Sequence, residues 1–136
     1  MVRAAFVALF ALVAAAPVAA GEKPAPGSSV EMPYLIAPVI VNDHLTAYAY
    51  VSSKIVATSP ANAIEVRAKL AFIQDAFVRD VNARPIGKPD DPATVDAESL
   101  KARLLADAKR IVGAGKVLNI VFVAIQMSPM HQDGPS

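Results

Sequence analysis

The sequence predicts an α+β domain: a small antiparallel or mixed sheet of about three strands with two helices, in the order β-β-α-α-β, preceded by a signal peptide and a linker. Three observations lead there. The stretches 34–57 and 116–127 are rich in β-branched residues and alternate with the two-residue period of a strand. The stretches 60–82 and 96–112 instead repeat apolar residues at steps of three and four, the period of a helix with one buried stripe. A length of 136 residues provides for one core and not two.

The first 20 residues stand apart from this pattern. Arg3 supplies a positive start, Ala4 to Ala16 is an unbroken apolar run, and Val18-Ala19-Ala20 places small residues before Gly21. These are the parts of a cleavable secretory signal peptide. A spanning helix needs about 20 apolar residues, and Pro17 interrupts a run that is already shorter and mostly alanine. The segment also explains the high apolar fraction of 54%, because the chain beyond it falls to about 48%, an ordinary value. Residues 21–32 hold prolines, glycines and serines without periodicity and read as a flexible linker.

The domain is expected over 33–127. Tyr34 to Val41 reads as a strand that ends at the turn cluster Asn42-Asp43-His44, and Pro38, which lacks an N–H, assigns it to an edge or a bulge. Leu45 to Ala57 alternates Leu45, Ala47, Ala49, Val51 and Ile55 on one face against Thr46, Tyr48, Tyr50, Ser52 and Lys54 on the other, completing a hairpin. Ser59-Pro60 opens the first helix, since serine caps free N–H groups and proline at the first position forfeits no bond. Val66, Leu70, Ile73, Phe77 and Val81 form its buried stripe, with Glu65/Lys69 and Asp75/Arg79 as i, i+4 pairs on the wet side and Arg79-Asp80 as a polar pair near the buried edge. Residues 83–93 carry Pro85, Gly87, Pro89 and Pro92 and read as a loop. Asp96 or Thr94 caps the second helix, whose stripe is Leu100, Leu104, Ala108 and Ile111, and Gly113-Ala114-Gly115 stops it. Lys116 to Met127 is apolar on both faces, the pattern of a central strand covered on both sides. Residues 128–136 read as a disordered tail.

Composition removes several function classes. The absence of cysteine excludes disulfide scaffolds, thiol nucleophiles and cysteine zinc sites, and 13 Lys+Arg against 12 Asp+Glu gives no electrostatic footprint for nucleic acid. His44 and His131 are the only imidazoles and neither has another strong ligand at metal spacing. Gly113-Ala114-Gly115-Lys116 lies after a helix and before a strand, the reverse of a phosphate loop. Asp90-Asp91 sits in the proline-rich loop, where nothing perturbs a carboxylate. No catalytic, cofactor-binding or metal residue is assigned, and the reading is non-enzymatic. Two weaker features remain. Tyr48 and Tyr50, at i, i+2 on the half-exposed face of a strand, are candidate partner-binding residues, and Met127, Met130 and His131 form a short cluster of soft ligands of the kind that holds Cu(I).

Several stretches, taken together, resemble the periplasmic domain of the flagellar basal-body-associated FliL family, related in fold to the stomatin-like (SPFH) domain. They are a proline followed by an apolar strand and Val41-Asn42, the alternating strand 47–56, the helical Ile73-Gln74-Asp75-Ala76-Phe77-Val78, a second helix containing Leu100, and the closing Gly115-Lys116-Val117-Leu118-Asn119-Ile120-Val121-Phe122-Val123-Ala124-Ile125-Gln126. The likeness spans about residues 33–127 and is one of hydrophobic pattern. It implies a cofactor-free periplasmic domain that forms oligomers around the stator units of the flagellar motor. Family members usually begin with a basic tail and a membrane helix, so membrane contact is implied here only if the N-terminal segment is retained. Independently of the family, a three-stranded sheet leaves two open edges, and a strand apolar on both faces needs cover that two helices do not supply, so a homo-oligomer is expected. The competing class is a stand-alone periplasmic binding module that uses the Tyr48 and Tyr50 face for a small ligand or a protein.

Overall fold

The computed structural model describes residues 27–130. The expected signal peptide and the histidine end of the tail lie outside the described residues. The fold is α+β, with strands β1 (Ser29–Glu31), β2 (Leu35–Val41) and β3 (His44–Ala57), helices α1 (Pro60–Ala68) and α2 (Leu70–Ala83), a small hairpin of β4 (Gly87–Lys88) and β5 (Asp91–Val95), helix α3 (Ala97–Val112) and strand β6 (Val117–Pro129). The main sheet is antiparallel and four-stranded, where about three strands were expected, and three helices replace the expected two.

β3 is the spine of the sheet. One side pairs along nearly its whole length with β6, and the other pairs first with β2 and then with β1. The hairpin from β2 to β3 turns on two residues, Asn42 and Asp43, at φ of 50° and 62°. Two consecutive positive φ values make the tight turn whose twist matches that of the strands, and Asn and Asp tolerate them best after glycine. Ala47, Ala49, Val51 and Ile55 turn toward the helices and are buried, and Leu45 alone of its expected row stays exposed at the strand's start. The core they share with Leu35, Val39, Ile73, Phe77, Leu100, Leu104 and Ile120 is continuous.

Four expectations need correction. Residues 29–32 are not linker: Val30 and Met32 are buried, and β1 is held by hydrogen bonds from Met32 N to Ser53 O (3.0 Å) and from Ala57 N to Ser28 O (2.8 Å). The first helix is two helices. At Lys69 (φ −107°, ψ 12°) the N–H is shared between the carbonyls of Glu65 and Val66, which breaks the axis without proline or glycine and lets α1 lie over β1 and β3 while α2 lies over β2. Residues 83–93 are not featureless. They fold back as β4–β5 and carry Ile86 into the core, and Gly87 is obligatory because a Cβ there would lie 2.2 Å from the Pro92 carbonyl oxygen. Finally, β6 is not central. It pairs with β3 alone among the described residues, and it runs through Ser128 and Pro129 into the stretch expected to be tail. Its apolar inner face (Val117, Ile120, Phe122, Ile125) meets the core, while its outward residues are uncovered, so two apolar faces here signify an exposed edge.

The helix ends follow the expected chemistry. Ser59 Oγ accepts from Asn62 N (3.1 Å) with Pro60 at the first position, Asp96 Oδ1 accepts from Ser99 N (3.2 Å), and Gly113 at φ 130° closes α3. Thr58 then ties the end of β3 to the start of β6, its N–H bonding Lys116 O (3.0 Å) and its hydroxyl bonding Gly115 O (2.9 Å).

Candidate functional site

All three helices pack on one face of the main sheet, and no described element covers the other. Register fixes the rows of that open face. Tyr48 lies between Pro38 and Ser128, Tyr50 between Ile36 and Gln126, and Lys54 between Glu31 and Val121. Both tyrosines are half-buried by these neighbours, which is the cross-strand packing that stabilises a sheet. Lys54 Nζ stands 3.9 Å from Glu31 Oε1 at a hollow of about 270 Å³ bordered by Tyr34 and Val123. The face therefore mixes apolar side chains (Ile36, Pro38, Tyr48, Tyr50, Val121) with Ser52, Gln126, Ser128 and one ion pair, a broad surface and not an enclosed polar cleft.

The remaining sequence candidates are placed as follows. His44 is exposed at the start of β3, and Asp91 Oδ2 accepts from Thr94 Oγ1 at 2.6 Å inside the small hairpin, which is turn chemistry. No cluster of three His, Asp or Glu side chains able to hold a metal occurs among the described residues. Met127 and Met130 are both partly exposed at the end of β6, and His131 lies outside the described residues.

One constellation that the sequence reading missed joins α2 to α3. Arg79 pairs with Asp75, as its spacing suggested (3.1 Å), but Asp80 turns inward. Its side chain is 7% exposed and accepts from Arg103 Nε at 2.7 Å. The same guanidinium donates to the carbonyls of Asp80 (3.1 Å), Arg84 (3.2 Å) and Pro85 (2.9 Å), so Arg103 caps the last turn of α2 and ties down the chain entering the hairpin. Burial opposes ionisation of Asp80, yet the hydrogen bond from Arg103, the neighbouring Asp107 carboxyl and the charges of Arg103 and Arg84 outweigh it and hold the group below its ordinary value. Asp107 moves the other way, pushed up by burial and then by the Asp80 carboxylate, against the pull of Arg110.

These groups line a groove of about 450 Å³ between the helices, beside the exposed Phe72. Each bordering arginine has its own aspartate: Arg79 with Asp75, Arg84 with Asp80, Arg110 with Asp107. These three pairs lie within one helix or at its end, and Arg103, which shares Asp80 with Arg84, is the link between α2 and α3. The signal for this cluster was present in the sequence, because Asp80 directly precedes Val81 on the buried stripe and Arg103 directly precedes Leu104. The Glu65/Lys69 pair expected on α1 does not form; Glu65 pairs with Lys116, and Lys69 Nζ donates to Ile111 O at 3.2 Å.

Among the described residues, no helix is long and apolar enough to cross a membrane. No family model and no curated protein matches this chain.

Proposed function

We propose that this chain is an exported, non-enzymatic interaction domain of the FliL type, which self-associates and serves a membrane or motor complex as an accessory, the flagellar basal body and stator being the first candidates. The observation that carries the reading is the bare side of the sheet: an open face around Tyr48 and Tyr50 with Ile36 and Val121 exposed on it, reaching the outer edge of β6. Monomeric proteins rarely leave such a surface to water unless it meets a partner.

Export and motor function are tested together by deleting the gene in its own host and by fractionating cells that express the full chain. The expected result is a periplasmic product with an N-terminus at Gly21 by mass spectrometry, cross-linked multimers in intact cells, and weakened swimming in the deletion strain. A product confined to the cytoplasm overturns the export reading, and unchanged swimming overturns the motor assignment. Multimers together with unchanged swimming direct the search to another envelope complex.

A further inference from the structure

We propose that the free edge of β6 is the contact between two copies of this chain, the two strands pairing antiparallel about a two-fold axis to give one continuous sheet of eight strands. The proposal rests on the self-association reading above and names the surface responsible for it.

Backbone geometry presents the edge. Antiparallel residues point their main-chain groups alternately to one neighbour and to the other. Met130 N bonds Thr46 O and Thr58 N bonds Lys116 O, whereas Met32 N bonds Ser53 O and Ala57 N bonds Ser28 O. Even-numbered residues of β3 thus serve β6, and odd-numbered ones serve β1 and β2. The β6 residues opposite odd-numbered positions, Ile120, Ile125 and Met127, therefore direct their N–H and C=O groups away from β3. No described strand receives them.

The side chains are compatible with a second copy of the same strand. From Val117 to Pro129 the strand has no charged residue, so antiparallel self-pairing sets no like charges against each other in any register. Leu118, Val121, Val123 and Met127 are 58%, 42%, 57% and 43% exposed. Across a two-fold axis each gains an apolar neighbour. A lysine, an inward charge and an early proline, three of the usual defences of an edge, are absent until Pro129; bulges at Leu118 and Val123 interrupt the strand and leave 119–122 and 124–129 as its regular pairing segments. Thirteen residues at about 3.3 Å rise span roughly 43 Å; with a sheet about 10 Å thick, pairing covers on the order of 900 Å² over both copies. That is the small end of specific interfaces, so dimerisation in the micromolar range is expected.

The test is sedimentation of the full chain expressed from Met1, up to roughly 300 µM, beside V123K, M127P and the double variant Tyr48→Ser/Tyr50→Ser. The expected result is a dimer that weakens at least tenfold in V123K and in M127P and persists in the tyrosine variant. Val123 is an exposed side chain and the Met127 N–H makes no bond to β3, so both variants are designed to keep the fold, with circular dichroism as the check. As a measurement that needs no substitution, the amides of Ile120, Ile125 and Met127 in the unmodified chain should exchange more slowly as concentration rises. A dimer that survives both edge variants, or amide exchange independent of concentration, overturns the β6 contact while leaving self-association intact. A monomer at every concentration overturns both.

Discussion

The two edges of the main sheet are built on opposite principles. On the β1/β2 side nearly every device that discourages strand addition is present. Pro38 sits opposite Tyr48, whose main-chain groups serve β6, so the missing N–H of Pro38 falls on the open edge. Glu31 places a charge on β1, and the β4–β5 hairpin packs against β2. On the β6 side there are 13 uncharged residues, bulges at Leu118 and Val123, and a proline only at the end. Charge, proline placement and cover thus differ between the two edges, and with the pairing proposed above they differ by use: the first is kept alone, and the second is met.

The guarded edge can be broken from a distance. Arg103 holds the end of α2 and the Pro85 carbonyl that leads into the hairpin, so Arg103→Ala removes the donor of Asp80 Oδ1 and of the Arg84 and Pro85 carbonyls and leaves the Asp80 carboxylate only its Arg84 contact. Losing one partner of such a pair costs about 3–5 kcal/mol, a large share of the 5–15 kcal/mol that a domain possesses. Urea unfolding should show it, and Arg103→Lys should recover only part, because one ammonium cannot serve four acceptors in a plane. Gly87→Ala attacks the same guard locally. A Cβ 2.2 Å from the Pro92 carbonyl oxygen forces the hairpin open, with an expected loss of about 1–3 kcal/mol and faster amide exchange across β2. An unchanged melting curve for either variant would show that the hairpin does not depend on these contacts.

Restoring the missing donor sharpens the comparison at smaller cost. Pro38→Val gives β2 a free N–H on its open edge and a better strand former. Stability should change by less than about 1 kcal/mol, while sedimentation should show new concentration-dependent species larger than a dimer, since a second edge has been opened. If no such species form, the charge and the hairpin guard the edge without help from the proline.

How far all this was legible in the sequence depends on range. The features governed by neighbours along the chain were readable: the Ser59-Pro60 and Asp96 caps, the Asn42-Asp43 turn, the Gly113 stop, and the α+β class from its two periods. What depended on distant partners was not. Alternation shows that β6 has two apolar faces but not whether a second strand lies beyond it, and an edge awaiting a partner has the same composition as a buried centre. Val30 and Met32 look like linker until β3 is beside them. The Lys69 break has no local signature, because its cause is the different direction in which α1 and α2 must lie over the sheet. Asp80 and Arg103 are 23 residues apart and meet only when α3 has docked.

The smallest expected effect concerns the seam between the two edges, where α2, lying over β2, meets α3, lying over β6. Asp80 and Asp107 respond to pH in opposite senses. Asp80 is held below its ordinary value of 3.8, so its contribution to stability is complete above that value and is lost as pH falls through the lower folded value. Asp107 is held above 3.8, so its contribution is complete below 3.8 and is lost as pH rises through the higher folded value. Asp107→Asn removes the second effect and retains that part of the first that Arg103 and Arg84 supply. The Arg110 pair given up with it is worth little, because Arg110 is 67% exposed. The variant should therefore be more stable than the parent at pH 7, and the difference should shrink as pH falls toward 3.8. Thermal unfolding of both proteins at several pH values measures this directly. A difference that stays constant with pH would mean that Asp107 titrates as a free carboxylate, and that the seam is held by Arg103 and apolar packing alone.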